Sequence, residues 1–521
     1  TGFKLTLKIK TFDPVDKLEN IICVDNDKEA GVYMSDILKN DFIVCNNRKF
    51  MRVNNVWTQD EKQIKENLIR QIGNKNIKSK IVFDNGDFVL KDLSRMAKGS
   101  RDILNFTEPT EDNTFVDKLW SSNLQKLCFD NGYYDFKKGK LMPYDLDTHT
   151  TIKIPRKFKP ANSKIKQEVY DRIFIPIFNG DKELMNYWIN GFSRAVAGHI
   201  EDKVWNVGQG HRNCGKGVIV GFAENAFGDY CRTTNSENFL FKKGNVDSAK
   251  SLSWLVPFEF RRLMMTNEIT KDSKNAVKIN GNVLKKLSSG GDKIEARQNH
   301  KDEINFKLQS TVYIFCNDLP QIEPTDAKET ISYVKYPSKF IDKNDDRILN
   351  PPKIKKYHMD DDENIIYEQD EDGNQVYDTL TQFYPKDDSI KAWSQKDDVL
   401  DAFIEIIFDH YGERLPIPDS MKEEEEDFKE EDSDEDNFLS LFIFQDESLY
   451  NHNKQTWLSV EQIKMIVSKS GCSLSAQKYK DLLKSKDCVD CKKTLPNGRR
   501  TRAWANIQVY EDALEFDSDS D

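Results

Sequence analysis

The chain has 521 residues, of which 38% are hydrophobic, 32% charged and 11% aromatic. At roughly 100–200 residues per domain, this length predicts three or four domains with sizeable cores. The mean hydropathy is −0.70, and the lack of any apolar run near the ~18 residues of a membrane span excludes a membrane protein. Nine irregularly spaced cysteines exclude a small disulfide scaffold and favour a reducing, intracellular setting.

The negative charge is concentrated in three short runs. The net charge is −11, but residues 360–372, 422–436 and 511–521 together carry 23 net negative charges, which leaves the rest of the chain at +12. Runs of like charge are usually solvated loops or tails. The folded part is therefore basic, which permits a polyanionic partner. The chain starts at Thr1 without a signal-peptide pattern, as expected of a processed product or a fragment.

The first 200 residues carry local signals for hairpins and helices. Two apolar runs around a turn at two asparagines predict a hairpin over 42–53, and a helix is predicted over 60–72. A second hairpin is predicted over 129–136, followed by helical patterns at 164–179 and 181–198. These signals therefore predict an α+β scaffold in this region.

From residue 203 the pattern changes to strands that alternate with helical segments. These segments are predicted at 203–207, 215–226, 262–267, 281–288 and 311–317. Such alternation is typical of an α/β domain with three layers and a mostly parallel sheet. A closing helical segment is predicted at 391–411.

A glycine-rich segment lies between the first of these strands and the helix that follows it. It consists of Gly210, His211, Arg212, Asn213, Cys214, Gly215, Lys216 and Gly217. The spacing matches G-x-x-x-x-G-K in the required strand–loop–helix context, so backbone N–H groups and Lys216 are expected to bind the phosphates of a nucleotide. Gly217 replaces the usual Ser or Thr ligand of Mg²⁺, a position that water can fill. The alternative is a plain glycine turn that carries a lysine.

Two further strand ends carry polar side chains. The apolar strand that starts at Arg262 ends in Asn267 and Glu268, and we expect Glu268 to activate the attacking water and to share in Mg²⁺ positioning. The strand 311–316 ends in Asn317, which can bond the γ-phosphate or the attacking water. Its alternative role is that of a turn residue.

Two basic features are candidate nucleic-acid contacts. A hairpin over 293–307 carries Arg297, His300 and Lys301 at or near its tip, although plain surface hairpins are also common. Residues 453–510 carry a net charge of +8 and predict two helices, the first capped by Ser459, and then a hairpin, a winged-helix-like pattern. Trp504 either fills its core or stacks on a base. The phosphate-contact candidates here are Lys478, Arg499, Arg500 and Arg502.

In this order, the motifs resemble superfamily 3 helicases, a branch of the AAA+ ATPases. The resemblance is strongest to the poxvirus-type primase–helicases of large DNA viruses and their phage and plasmid relatives, and it covers roughly residues 30–510. The matching segments are 210–217, 226–230, 262–268, 284–297 and 317–320, with 130–135 and 175–181 upstream.

The resemblance implies a ring-shaped hexamer that hydrolyses ATP with Mg²⁺ while it translocates along single-stranded or forked DNA. It implies Lys216 and Glu268 at the ATP site, Asn317 as a polar sensor and the 293–307 hairpin as a DNA contact. It also implies primase or polymerase partners, no membrane partner, and a location in the infected host cytoplasm or a viral factory. An RNA helicase or a packaging motor fits the upstream region and the winged helix less well.

Four departures from the family pattern leave a second hypothesis open. Gly217 lacks the hydroxyl, Cys214 stands where the family usually has Asn, and Asn267 occupies the usual position of the metal-side acid. No arginine follows the sensor over 326–331, where Lys328 is a weak substitute. The alternative is therefore a nucleotide-binding, weakly hydrolysing DNA-binding ring that serves as a loader or scaffold.

The expected organisation is an AAA+ three-layer P-loop core between two smaller units. The predicted boundaries are 1–110 (α+β region), 111–200 (helical pre-helicase domain), 201–350 (helicase core), 351–420 (insertion and helical segment), 421–437 (acidic linker), 438–510 (basic winged-helix-like domain) and 511–521 (acidic tail).

Overall fold

The fold is described from a computed structural model of the chain. The described residues are 21–241, 252–266, 278–297, 303–317, 321–355, 357–359, 365–367, 377–379, 382–422, 425, 438–439, 441–445, 450–452, 454–469, 476–494 and 498–509. In this part of the chain, none of the helices combines the length and the apolar character that crossing a bilayer requires.

The N-terminal region consists of two small sheets and four helices. Its elements are β1 (Ile21–Val24), α1 (Asp27–Ile37), β2 (Phe42–Cys45), β3 (Arg48–Val53), β4 (Val56–Thr58), α2 (Glu61–Gly73), β5 (Asn76–Val82), β6 (Phe88–Asp92), α3 (Ala97–Leu104), β7 (Thr110–Glu111) and α4 (Phe115–Ser122). The two sheets have the strand orders β1-β5-β6 and β4-β3-β2-β7.

The predicted hairpin and helix of this region are both confirmed. β2 pairs antiparallel with β3, and the turn holds Asn46 and Asn47 at φ values of 49° and 61°, a left-handed conformation common in two-residue hairpin turns. Asp60 caps α2, because its carboxylate accepts a hydrogen bond of 2.7 Å from the Gln63 backbone N–H. Local turn and capping chemistry is therefore enough to specify these elements.

A three-stranded meander and a run of helices follow. Their elements are β8 (Lys126–Phe129), β9 (Gly132–Asp135), β10 (Lys140–Met142), α5 (Ser163–Val169), a π-helical turn (Tyr170–Phe174), α6 (Ile175–Ile177) and α7 (Lys182–Ala197). The predicted second hairpin corresponds to β8 and β9, and both predicted helical stretches are confirmed. α7 ends at Gly198, whose φ of 90° is the left-handed conformation that terminates helices.

The central part of the chain forms a parallel sheet. Its elements are β11 (Trp205–Gln209), α8 (Lys216–Phe227), β12 (Cys231–Thr234), β13 (Leu263–Thr266), β14 (Ile279–Asn280), α9 (Gly281–Leu287), β15 (Lys293–Arg297), β16 (Glu303–Lys307), β17 (Thr311–Cys316), β18 (Ile322–Glu323) and β19 (Ile331–Lys335). Five strands pair in parallel in the order β12-β13-β17-β11-β19. The α/β prediction is confirmed as a mixed α/β fold.

Alternate residues of the central strands enter two separate hydrophobic cores. Met265 and Phe315 join the core that contains α7 and α8, whereas Met264 and Ile314 join the core that contains α9. Because successive side chains of a strand point to opposite faces, the sheet is buried on both sides. This burial explains why β13 and β17, the strands whose residues are all buried, are nearly continuous apolar runs in the sequence.

A buried arginine ties the start of β13 to the N-terminal region. The Arg262 guanidinium is fully buried and donates hydrogen bonds to Gln309 Oε1 and to the Asn123 carbonyl. Burial lowers the pKa of Arg262 to about 10. The turn at Gly198 packs directly on this guanidinium, so that a side chain there would collide with it.

An insertion and two helices follow the sheet. Their elements are β20 (Lys339–Ile341), α10 (Asp346–Leu349), β21 (Lys353–Lys355), β22 (Tyr357–Met359), β23 (Ile365–Tyr367), β24 (Tyr377–Thr379), β25 (Phe383–Pro385), α11 (Ile390–Trp393) and α12 (Asp397–Asp409). The predicted closing helical segment corresponds to α11 and α12, and Phe403 of α12 stacks on Phe222 of α8 with ring centroids 4.7 Å apart. Most of the acidic run 360–372 lies outside the described residues.

The C-terminal part contains the predicted two helices and hairpin. Its elements are β26 (Phe442–Phe444), β27 (Trp457–Ser459), α13 (Val460–Lys469), α14 (Ala476–Ser485), β28 (Val489–Thr494), β29 (Arg500–Ala505) and β30 (Ile507–Val509). Ser459 caps α13 as predicted, with reciprocal hydrogen bonds of 2.9 and 3.1 Å to Gln462. Trp504 is 2% exposed, so it fills the core. The predicted domain boundaries stay predictions.

Candidate functional site

The glycine-rich loop joins the carboxyl end of β11 to the first turn of α8. Gly215 is the residue that precedes the helix and has a φ of 100°. A Cβ atom at this position would lie 2.6 Å from Cγ1 of Ile177. Both the backbone conformation and the close neighbour therefore require glycine here. The loop consequently presents the amino end of α8, where unpaired N–H groups and the helix dipole favour an anion.

The other end of the loop is also closely packed. A Cβ atom at Gly210 would lie 2.7 Å from Sγ of Cys214 and 2.8 Å from Cβ of Tyr336. Cys214 is 1% exposed, and Tyr336 is buried with a pKa raised well above its ordinary value by desolvation. The loop therefore packs closely against buried side chains.

Lys216 joins the loop to the neighbouring strand. Its Nζ donates hydrogen bonds to the Gly210 carbonyl, to the Cys316 carbonyl at 2.9 Å and to Oδ1 of Asn317 at 2.7 Å. β17 lies next to β11 in the sheet, so its carboxyl end meets the loop. Two residues predicted from separate motifs are therefore in direct contact.

A cavity of about 780 Å³ opens over this contact. The loop and the start of α8 form one wall, Asn317 and the buried Thr266 lie at the strand ends, and residues of α11 close the far side. A polar cleft at the carboxyl ends of parallel strands, beside a helix amino end, is suited to bind phosphate groups. From α11 and the two residues that follow it, the cavity is lined by Ile390, Lys391, Ser394 and Gln395.

Sequence reasoning did not identify these α11 residues. They follow a long insertion and match no phosphate-binding pattern, so only the packing of α11 beside α8 brings them to the cleft. The single local signal in the sequence is the spacing of polar residues around the buried Trp393 of this short helix.

The structure describes only some of the other predicted site residues. Gly217 lies in the first turn of α8, and a Cβ atom there would have no neighbour within 4 Å. Asn267 and Glu268 lie outside the described residues, immediately after Thr266 at the end of β13. Among the residues that the structure describes, no group of three His, Cys, Asp or Glu side chains could hold a metal ion.

Lys328, the candidate substitute for the arginine expected after the sensor residue, does not face solvent. Lys328 lies in a 3₁₀ segment (Thr325–Thr330) and is only 4% exposed. A lysine at this depth cannot extend towards a neighbouring molecule without a rearrangement. The predicted role of Lys328 therefore has no support from its position.

The predicted hairpin over 293–307 is confirmed. β15 and β16 pair antiparallel, with Arg297 opposite Glu303 at the end of the ladder. His300 and Lys301 lie outside the described residues. The described part of the hairpin therefore places Arg297 next to its tip.

The basic C-terminal hairpin presents its charges in two different ways. Arg500 is exposed, whereas Arg502 forms a two-pronged ion pair with Asp490 across the strands. Lys478 and Arg499 are also exposed. Since an ion pair satisfies much of the Arg502 charge, Arg500 is the better placed of these two arginines to contact a polyanion.

Comparisons with known proteins identify relatives for most of the chain. Residues 32–175 match the family described as D5 N terminal like. The “Putative helicase V13” of Sputnik virophage is 25% identical over 438 residues, which cover 79% of this chain and 54% of that protein. The “Putative helicase 184R” of Invertebrate iridescent virus 6 is 25% identical over 301 residues, 52% of this chain and 28% of that protein. The chain thus spans about half of the first relative and less than a third of the second.

A solved structure, the A form apo structure of the NrS-1 C terminal region, is also similar. It shares 13% sequence identity, and the match covers 82% of this chain and 93% of that chain at a TM-score of 0.35, which is too low to establish a shared fold. The family match and the viral relatives agree with the resemblance carried by the sequence motifs. The chain is thus similar to viral proteins named putative helicases and carries a D5 N terminal like match, as the motifs predicted.

Proposed function

We propose that this chain is an ATP-dependent DNA helicase of superfamily 3, with an AAA+ core, that acts in viral genome replication. The observation that carries this proposal is the contact between Lys216 of the glycine-rich loop and Asn317 at the end of the adjacent strand. The strand order supports it, because β17 lies between β11 and β13 and brings the loop, Asn317 and Thr266, the last described residue of β13, to one edge of the sheet.

The residues of the cleft fit a magnesium–nucleotide. The loop amides and the amino end of α8 bind the phosphates, and Lys216 exchanges its protein acceptors for phosphate oxygens. Asn317 holds the γ-phosphate or the attacking water, and Glu268 accepts a proton from that water. When bound, Mg²⁺ neutralises phosphate charge, with Glu268 acting on it indirectly and water in place of the hydroxyl missing at Gly217.

The basic β15–β16 hairpin and the basic C-terminal domain would couple ATP hydrolysis to DNA movement. We place single-stranded DNA against the β15–β16 hairpin, with Arg297, His300 and Lys301 as contacts. The C-terminal winged-helix-like domain would bind phosphates through Lys478, Arg499, Arg500 and Arg502. The active form would be a hexameric ring that works with a primase and a polymerase in the infected host cytoplasm or a viral factory.

One observation favours a second candidate function. Lys328 is buried, and in other systems an arginine at an equivalent place contributes ~10³–10⁵ to turnover. A ring that lacks this group and the hydroxyl at Gly217 would bind nucleotide and hydrolyse it weakly. Such a protein would act as a loader or scaffold on DNA.

A strand-separation assay tests the proposal. The wild-type chain and Lys216→Ala are incubated with fluorescently labelled forked DNA, with and without ATP and Mg²⁺. We expect ATP-dependent separation by the wild type and none by the variant. DNA binding without separation by either protein would favour the loader or scaffold.

A further inference from the structure

Helix α4 of the N-terminal region contacts both ends of the β15–β16 hairpin through one aromatic side chain. The Nζ atom of Lys307, the last residue of β16, lies 4.8 Å from the ring centroid of Trp120, a cation–π contact. Gly291, two residues before β15, lies against the same ring, because a Cβ atom there would be 3.6 Å from Cζ2 of Trp120. The base of the hairpin therefore packs on a half-buried residue that is far away in the sequence.

The same helix is bonded to the segment between the hairpin and β17. Gln309 is fully buried, and its Nε2 donates a hydrogen bond of 2.6 Å to the backbone carbonyl of Trp120. Its Oε1 accepts a hydrogen bond from Arg262, which immediately precedes β13. One amide side chain thus joins α4 to the amino ends of β13 and β17.

Two further contacts hold the start of β13 against α4. Arg262 donates a hydrogen bond to the carbonyl of Asn123, the residue that follows α4. Phe260 has a φ of 68°, a left-handed conformation that is rare for an aromatic residue. Its side chain is buried in the hydrophobic cluster that contains Phe115 and Leu119 of α4. Since such a backbone conformation persists only where the surrounding packing fixes it, the amino end of β13 is held firmly.

β13 and β17 connect this contact region to the phosphate cleft. The two strands pair in parallel, and all their residues are buried. At their carboxyl ends, Thr266 and Asn317 line the cleft. Because closely packed interiors transmit strain, a shift of α4 against the amino ends of these strands also moves their carboxyl ends.

We propose that Trp120 is a positioning residue that couples single-stranded DNA on the β15–β16 hairpin to the nucleotide in the phosphate cleft. DNA that displaces the hairpin presses its base on the Trp120 ring, α4 follows, and β13 and β17 carry the shift to the cleft. Trp120 lies at the base of the hairpin and does not line the cleft, so it acts on the coupling between the two ligands. This inference rests on the proposed function, because it assumes that both ligands bind at the proposed sites.

The test measures how much a nucleotide changes the affinity of the full chain for DNA. Fluorescence anisotropy of a labelled oligothymidylate gives this affinity with and without Mg²⁺ and β,γ-imido-ATP, an analogue that resists hydrolysis. Since coupling between two sites is typically about 5–150-fold, the wild-type affinity should change at least about fivefold.

Trp120→Leu removes the ring contacts but keeps the backbone carbonyl that Gln309 bonds. The variant should bind DNA alone and the analogue alone with wild-type affinity, whereas the change that one ligand causes in the affinity for the other should fall below about twofold. Trp120→Phe keeps a ring against Lys307 and should retain the wild-type coupling. If Trp120→Leu does not fold, Trp120→Met replaces it, because its flexible side chain fills more of the space.

Tyr33→Leu is the matched control. Tyr33 is a half-buried aromatic residue on α1, and it packs against a separate hydrophobic cluster of the N-terminal region, so its loss should leave the coupling at the wild-type value. Wild-type coupling in Trp120→Leu, or an equal loss of coupling in Tyr33→Leu, would overturn the role of Trp120. A wild type that binds both ligands without coupling would overturn this inference alone, whereas failure to bind either ligand would overturn the proposed function as well.

Discussion

The Lys216 amine donates a 2.7 Å hydrogen bond to Oδ1 of Asn317, which joins the phosphate-binding loop to the end of the adjacent strand. Two backbone carbonyls complete the set of acceptors around the amine. The lysine is therefore fully satisfied by protein oxygens in this state. Phosphate oxygens must replace these acceptors when a nucleotide binds, so Asn317 and the nucleotide compete for the Lys216 amine. Once the amine has moved to the phosphates, the Asn317 side chain is available to contact the nucleotide.

This competition predicts different effects of two substitutions at Asn317. Asn317→Asp replaces the neutral amide acceptor of the Lys216 ammonium group with a carboxylate, which holds the amine more tightly and repels the phosphates, so ATP affinity should fall about tenfold. Asn317→Ala removes an acceptor, so ATP affinity should be unchanged or higher while hydrolysis falls. Titration with a fluorescent ATP analogue and a phosphate-release assay measure the two quantities.

Thermal unfolding of both Asn317 variants controls for folding. A lower ATP affinity of Asn317→Ala, at an unchanged midpoint temperature, would show that the contact of Asn317 with the γ-phosphate outweighs its competition for Lys216, and would contradict this prediction.

A restored hydroxyl at Gly217 should improve the magnesium site. A Cβ atom there has no neighbour within 4 Å, so Gly217→Ser fits without strain. Because the serine hydroxyl can bind Mg²⁺ directly, ATP affinity in the presence of Mg²⁺ should rise about tenfold, a gain typical of one polar contact to a charged group. Calorimetric titrations with and without Mg²⁺ measure the gain.

Gly217→Ala separates the hydroxyl from the helix effect. Alanine also raises helix propensity, by about 1 kcal/mol relative to glycine, but it adds no metal ligand. If alanine produced the same magnesium-dependent gain as serine, the explanation by coordination would be wrong.

The C-terminal hairpin should bind DNA through Arg500 rather than Arg502. Arg500 is exposed, whereas Asp490 neutralises Arg502. Arg500→Ala should therefore weaken single-stranded DNA binding and reduce the slope of log affinity against log salt by about 0.7, the value for one phosphate contact on a single strand. Arg502→Ala should change the slope less. Fluorescence anisotropy at several salt concentrations measures both, and a larger slope change for Arg502→Ala would reverse the assignment.

The buried Arg262 should be important for stability. Arg262→Ala leaves the Asn123 carbonyl and the Gln309 amide oxygen without their donor and creates a cavity, so we expect a loss of about 3 kcal/mol or more in the free energy of unfolding. Arg232→Ala, at an exposed position on the neighbouring strand β12, should cost less than about 1 kcal/mol. Calorimetric melting of the two variants tests this, and equal midpoints would contradict it.

The elements that the sequence predicted are those with local signals. The hairpin turn at Asn46 and Asn47, the cap at Ser459 and the loop around Gly215 each depend on the chemistry of a few adjacent residues. The contact between Lys216 and Asn317 could also be predicted from the sequence, because the carboxyl ends of neighbouring parallel strands lie at the same edge of a sheet.

The parts that were missed depend on distant packing. The edge strands Cys231–Thr234 and Ile331–Lys335 are short, and only their pairing with β13 and β11 defines them. The position of Lys391 in the phosphate cleft depends on the return of α11 after a long insertion. Neither relationship has a periodic or spacing signal that a single sequence can carry.

The most direct test of the central claim is steady-state ATP hydrolysis by the wild type, Lys216→Ala and Glu268→Gln, with and without single-stranded DNA. The account predicts wild-type turnover that DNA stimulates and that both substitutions abolish, because one removes the phosphate-binding amine and the other the group that activates water. Wild-type turnover no higher than that of Lys216→Ala, despite ATP binding that depends on Lys216, would contradict the motor and leave the loader or scaffold as the function.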